Sequence, residues 1–263
     1  MRLKNKTIVI TRQPAQAANL IRLIEQEGAK ALLFPTISTV AARENQERQR
    51  QILQTLDQFD WLVFSSENGV NFFFDCLEQN GLHLPPIRIA AVGSRTAETL
   101  KKLGMQADLI PDDFSARGLI NAFSTMEIRG ARFLIPTSNI AREELPSGLK
   151  LHGANVETVV FYKTVPNPQF KQDEFRLLLE KKAVDVITFF SPSAFNYLID
   201  LLGVEGLNLL QLSETHLAAI GKTTARAIHN QGLKVHIMPR VSTSKELVEA
   251  MIEFYREKGK HEQ

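Results

Sequence analysis

"AAVGSRTAETL" occupies residues 90–100 and "AAIGKTTARAI" occupies residues 218–228, so the chain carries nearly the same phrase twice. Each phrase reads as a short apolar run, then a glycine with a hydroxyl or cation, then one apolar stripe at helical spacing. The two central glycines, Gly93 and Gly221, stand 128 positions apart. The phrases around them recur in the same order. "TIVITR" (7–12) is answered by "ARFLIPTS" (131–138), and "GAKALLFPTIS" (28–38) by "GANVETVVFYKT" (153–164). "FDWLVFSSENGV" (59–70) is answered by "VDVITFFSPSAF" (184–195), and "QADLIPDDFSARGLI" (106–120) by "KVHIMPRVSTSKELV" (234–248). Matches in unbroken order mark an internal duplication, and two copies make a two-lobed protein rather than a solenoid.

Within each copy, strands alternate with helices. Strands are expected at 7–11, 29–35, 60–66, 87–93 and 107–111, with helices after Pro14, through Val70–Leu77, from Ser94 to about Gly104, and through Leu119–Phe123. Pro14 suits a first helical turn, and Gly28 and Gly104 suit helix ends. Strands without apolar–polar alternation are buried on both faces, which argues for α/β architecture: two similar lobes, each a parallel sheet flanked by helices. Ligands of such sheets lie outside the carboxyl ends of the strands, where helix N-termini gather. Every strongly repeated phrase is such a corner, so the duplicated phrases read as one functional edge presented by each lobe. "FPTISTVAA" (34–42) and "KTVPNP" (163–168) read as extended crossings between lobes. "ARENQERQR" (42–50) reads as a solvated helix face and "REKGKHEQ" (256–263) as a frayed tail.

Bulk properties narrow the function. The 263 residues are 44% hydrophobic and 23% charged, an ordinary globular balance, and the formal net charge of +2 with no dense basic run argues against nucleic acid. One cysteine, Cys76, permits no intramolecular disulfide; its setting "NFFFDCLEQNG" reads as the buried face of a helix. No apolar run approaches membrane-spanning length, and five apolar residues before Arg12 are too few for a signal peptide, so a cytoplasmic protein is expected.

Familiar catalytic patterns are missing. "HLAAIGKT" has His216 where Walker A needs a glycine, and "AVGSRTA" lacks two glycines of a dinucleotide fingerprint. The six histidines, His83, His152, His216, His229, His236 and His261, do not pair at metal-ligand spacing with one another or with Cys76, so a zinc site is not expected. His229 and His236 read as surface or internally satisfied residues. No Gly-x-Ser-x-Gly elbow occurs.

What the repeated edge offers is hydroxyls and small residues: Ser65, Ser66, Asn68, Gly69, Ser94, Thr96, Ser191, Ser193, Ala194, Thr223 and Thr224. Such loops cap helices, with Ser66, Ser94 and Ser191 as candidates, and leave other first-turn N–H groups free for anions. Arg12, Arg95, Lys222 and Arg226 lie close by and could add charge-assisted contacts.

On "IVITR", "FSSENGV", "AAVGSRTAETL", "GANVETVVFYKT", "ITFFSPSAF", "AAIGKTTARAI" and "PRVSTSKELV", which span essentially the whole chain in order, the sequence resembles the uroporphyrinogen-III synthase family. "PTSNIAREELPSGL" (136–149) follows the family pattern less closely. The resemblance implies a discontinuous domain of residues 1–35 and 168–263, a second domain of residues 41–162, and a two-stranded connection through 36–40 and 163–167. It implies cyclisation of the linear polycarboxylate hydroxymethylbilane, delivered by the preceding enzyme of the pathway, with loss of water and inversion of one pyrrole ring. It implies Tyr162 as the acid that assists loss of water, and Thr96 and Thr224 as binding or supporting residues. A monomer acting without metal or cofactor is expected. Alternatives from other classes are a non-enzymatic two-lobed module for a small anion and a nucleotide-dependent transferase.

Overall fold

The computed structural model describes residues 1–261. Strand β1 (Thr7–Ile10) enters helix α1 (Pro14–Gln26), whose Ala17, Leu20 and Ile24 form one fully buried stripe. Gly28, with φ +83°, turns the chain into β2 (Lys30–Leu33). Next come β3 (Ile37–Ala41), α2 (Gln46–Leu53), β4 (Trp61–Phe64), α3 (Glu67–Gln79), β5 (Arg88–Ala91), α4 (Ser94–Lys102) and α5 (Ala116–Ser124). Then follow β6 (Arg132–Ser138), α6 (Glu144–Leu151), β7 (Asn155–Pro166), α7 (Gln172–Glu180) and β8 (Val186–Phe189). The chain finishes with α8 (Pro192–Leu212), β9 (His216–Ala219), α9 (Lys222–Asn230) and α10 (Ser244–His261).

These elements form two compact units. One comprises Met1–Ser38 with Val165–Gln263, the other Thr39–Thr164, so the chain passes between units twice. The first holds a sheet of order β2-β1-β8-β9, all neighbours parallel. The second holds a sheet of order β3-β7-β6-β4-β5, parallel from β7 through β5. The segments that carry the chain between units, β3 and β7, are hydrogen-bonded neighbours.

Successive residues of a strand point to opposite faces, and each sheet accordingly feeds two cores. In the first unit Val9, Ile187, Phe189 and Leu217 pack with α7, α8 and α9. Their strand neighbours Ile8, Ile10, Val186 and Ala218 pack with α1 and α10. In the second, Leu62, Phe64, Ile89 and Leu134 meet α2, α3 and α4, while Trp61, Val63, Ala90 and Phe133 meet α5 and α6. Helix cover on both faces explains the unbroken apolar runs. Each fully buried phenylalanine, such as Phe73 or Phe133, contributes about 1.5–3 kcal/mol relative to exposure.

Three expectations change. The strand at 107–111 shrinks to one bridge, Ala90 to Leu109, and its counterpart to one bridge, Ala218 to Ile237. A side chain takes over each ladder: Asp108 Oδ2 accepts from Ile89 N at 2.7 Å, and His236 Nδ1 accepts from Leu217 N at 3.1 Å. Pro111 and Pro239, lacking N–H donors, follow. Helix α10 continues from Arg256 to His261, where the sequence suggests a frayed tail, while Glu262 and Gln263 lie outside the described residues. Cys76 is half-buried rather than core, its S–H donating to Gln49 Oε1 at 3.6 Å, and burial pushes its thiol pKa up.

Candidate active site

In each unit the strand order reverses beside a pair of strands whose ends form the expected ligand crevice. In the second unit that pair is β4 and β6. Beyond β4, Ser66 holds extended backbone (φ −158°) and caps α3, its Oγ accepting from Gly69 N at 3.0 Å. Asn68 lies in the first turn of α3 and Ser65 is exposed. Beyond β5, Gly93 is the cap position of α4, so Ser94 is the first helical residue and makes no capping hydrogen bond. The expectation that Ser94 caps this helix is therefore corrected: the extended turn falls one residue earlier, where glycine leaves the α4 N–H groups without a side-chain acceptor. A side chain at Gly93 would meet Phe114 at 3.3 Å.

Tyr162 reaches this edge through an irregularity. The β6–β7 register runs Thr137 to Val160, then Ser138 to Tyr162, so Phe161 is an extra residue on β7. In a regular strand Phe161 and Tyr162 would point to opposite faces. The bulge bends the strand, and both rings meet α3. Phe161 packs on Phe73 with centroids 5.2 Å apart, and Tyr162 stacks on Phe72 at 5.4 Å with 10° between planes. The Tyr162 hydroxyl lies 2.9 Å from Ser66 Oγ, and the residue is only 7% exposed.

The first unit repeats the edge at β1 and β8 without the phenol. Ser191 (φ −156°) caps α8, accepting from Ala194 N at 3.1 Å, and its Oγ also meets Ser193 Oγ at 3.0 Å. Thr36 Oγ1 donates to the Ala194 carbonyl at 2.7 Å. Arg12, after β1, lays its guanidinium over Phe190, 4.4 Å from the ring centre. Gly221 (φ −176°) heads α9, with Lys222 and Thr223 exposed in the first turn. A Cβ at Gly221 would lie 2.9 Å from Ser242 Oγ.

Carboxylates stand at the edge too, Glu67 in the first turn of α3 and Asp113 against the α5 cap, yet several cations there are unpaired. Among the described residues Arg95, Lys222, Arg226, Arg142 and Arg240 make no ion pair. Other cations are paired: Lys6 with Asp185, Lys182 with Glu214, Arg48 with Glu157, and Lys163, next to Tyr162 in sequence, with Glu44. Anion-receptive helix starts and unpaired cations therefore coincide. Thr96 and Thr224, expected at helix starts, are 5% and 3% exposed, which suits support of the turn.

Sequence reasoning missed several contributors. Ser115 caps α5 through Gly118 N at 2.9 Å, and Thr243 Oγ1 accepts from Glu246 N at 3.2 Å, a third repeated corner legible in "FSARG" and "STSKE". Phe72 and Phe190 carried no local signal. The spacing of His216 and His236 sets them apart, yet their rings meet with centroids 5.0 Å apart. His216 Nδ1 donates to the Asp185 carbonyl at 3.1 Å, and burial lowers both pKa values, that of His236 to about 4. Among the described residues no three His, Cys, Asp or Glu side chains form a metal-holding group. No helix there is long and apolar enough to cross a membrane.

Two parallel α/β units with duplicated strand-to-helix edges, one bearing a buried phenol, define a two-unit α/β protein. Comparison with known proteins makes this specific: the family described as HEM4, uroporphyrinogen-III synthase HemD, matches residues 18–260, and the chain belongs to it. A relative from Methanothermobacter thermautotrophicus is 30% identical over 247 residues, covering 93% of this chain and 96% of its own length. The uroporphyrinogen-III synthase of Chlorobaculum parvum is 27% identical over 252 residues, covering 94% and 98%. In fold the chain is similar to a mutant uroporphyrinogen III synthase from the extremely thermophilic bacterium Thermus thermophilus, with TM-score 0.65, 18% identity, and 96% and 99% of the two chains covered. The corresponding enzyme of Helicobacter pylori 26695 gives TM-score 0.60 at 16% identity, covering 94% and 99%. Family membership favours the enzyme over the non-enzymatic module.

Proposed function

We propose that the chain cyclises hydroxymethylbilane to uroporphyrinogen III, as a carbon–oxygen lyase that uses its own side chains without an added cofactor. Each unit by itself offers helix starts to substrate carboxylates, α3 and α4 with Arg95 in one and α8 and α9 with Arg12, Lys222 and Arg226 in the other. Such orientation can lower a barrier by several kcal/mol, and a flexible chain that closes unaided to the wrong isomer needs orientation above all.

Tyr162 donates its proton to the terminal hydroxymethyl oxygen. The carbon–oxygen bond breaks as the pyrrole nitrogen pushes in its electron pair, water leaves, and an azafulvene electrophile remains. The substituted carbon of the last ring attacks it, giving a spiro intermediate. That intermediate fragments and recloses with the ring turned over, and the proton released on rearomatisation returns to the Tyr162 oxygen. The observation that carries this reading is the phenol held at an anion-receptive edge, 2.9 Å from a helix-capping hydroxyl.

The test is incubation with hydroxymethylbilane followed by chromatography of the oxidised products. The type III isomer is expected, and type I alone would defeat the proposal. Tyr162→Phe should reduce turnover on the order of 10²-fold with folding intact.

A further inference from the structure

The cap of α3 carries a contact that capping does not require. Ser191 caps α8 in the same way, and its Oγ has only its neighbour Ser193 as a second partner. Ser66 instead meets Tyr162, 96 positions along the chain, while its Oγ already accepts the Gly69 N–H. Resting on the reading of Tyr162 as the acid, we propose that Ser66 is a positioning residue: it donates its own proton to the Tyr162 oxygen and so leaves the phenol's proton free for the leaving hydroxyl.

A hydroxyl carries one hydrogen and two lone pairs. Ser66 Oγ makes no other side-chain hydrogen bond among the described residues. If Tyr162 donated to Ser66, the reactive proton would be occupied and the Ser66 proton would lack an acceptor. With Ser66 donating, every hydrogen except the reactive one has a partner.

Ser66 also stands at the head of a 13-residue helix, at the positive end of its dipole. As the proton leaves Tyr162, the hydrogen bond from Ser66 becomes charge-assisted and strengthens, so it favours the transition state over the ground state. Phe72 fixes the ring plane, and the β7 bulge fixes where the ring emerges.

The experiment compares Ser66→Gly, Ser66→Thr, Tyr162→Phe and the double variant Ser66→Gly/Tyr162→Phe, all assayed with hydroxymethylbilane. Glycine keeps most of the cap's stability but has no donor, and threonine keeps both. Ser66→Gly should lower kcat roughly ten- to hundredfold, leave KM within about twofold, and shift Tm by no more than about 2 °C. Ser66→Thr should restore turnover. In the Tyr162→Phe background Ser66→Gly should cost nothing further. An equal loss in both backgrounds, a change in KM alone, or normal turnover in Ser66→Gly would overturn the proposal. Normal turnover in Tyr162→Phe would instead remove the underlying reading of Tyr162.

Discussion

Replacing Gly118 by alanine should destabilise the protein, against the usual direction for a helical glycine. In an unobstructed helix the change gains about 0.5–1 kcal/mol, because alanine loses less backbone freedom on folding. At Gly118, in the first turn of α5, a Cβ would lie 1.9 Å from the Asp113 carbonyl oxygen and 2.9 Å from its carbon. Carbon contacts are comfortable near 3.5 Å, so something must move by more than an ångström. The obstacle is backbone and cannot swing aside as a side-chain tip would. It is also engaged: the Asp113 carbonyl accepts from Ser115 N at 2.6 Å, and the Asp113 carboxylate accepts from the capping Ser115 hydroxyl at 2.8 Å. Overpacking costs about 1–3 kcal/mol and a disturbed hydrogen bond about 1 more, against the alanine gain. The net expectation is a loss of about 1–3 kcal/mol, or roughly 3–10 °C in Tm for a protein of this size. Differential scanning calorimetry checks it, with Gly259→Ala as control, since a Cβ there meets nothing within 4 Å. Gly118→Ala melting at or above the parent temperature would refute the reasoning.

Two further predictions concern charge. Lys222→Ala should raise KM for hydroxymethylbilane severalfold at low ionic strength, with stability changed by no more than about 0.5 kcal/mol, because Lys222 is exposed and unpaired at the α9 start; an unchanged KM in steady-state assays would remove it from the site. For the histidine pair, burial first, then neighbouring His216, Lys234 and Lys258, holds His236 near pH 4, and burial also lowers His216. The unfolded chain binds protons from about pH 6.5 downward, so this stability is present above 6.5 and is lost as pH falls from 6.5 towards 4. Urea unfolding should show it, with a shallower slope in His236→Asn, whereas a flat profile across that window would contradict the assignment. Glu27, Glu44 and Glu214, lowered by Arg2, Lys163 and Lys182 respectively, lose their contributions at lower pH.

Much of the architecture was legible along the chain. The helix at Pro14–Gln26, the β4 and β8 runs, and the capping residues Ser66 and Ser191 all follow from periods and caps that span only a few residues. Ser94 misled because "GS" offers two acceptable cap residues in succession, and the choice between them turns on where the backbone leaves the extended region. The strand at 107–111 misled because Asp108 competes with the backbone for the Ile89 N–H, a contact that spacing does not reveal.

By itself, the sequence determined that there are two copies of one α/β pattern and that strand-to-helix corners carry the hydroxyls, because these signals are local and periodic. Only the tertiary structure decided that Phe161 is an extra residue in β7, that Tyr162 thereby turns onto Phe72, and that its hydroxyl meets Ser66. Strand register is chosen by packing between segments distant along the chain, and one slipped residue reverses which side chains share a face.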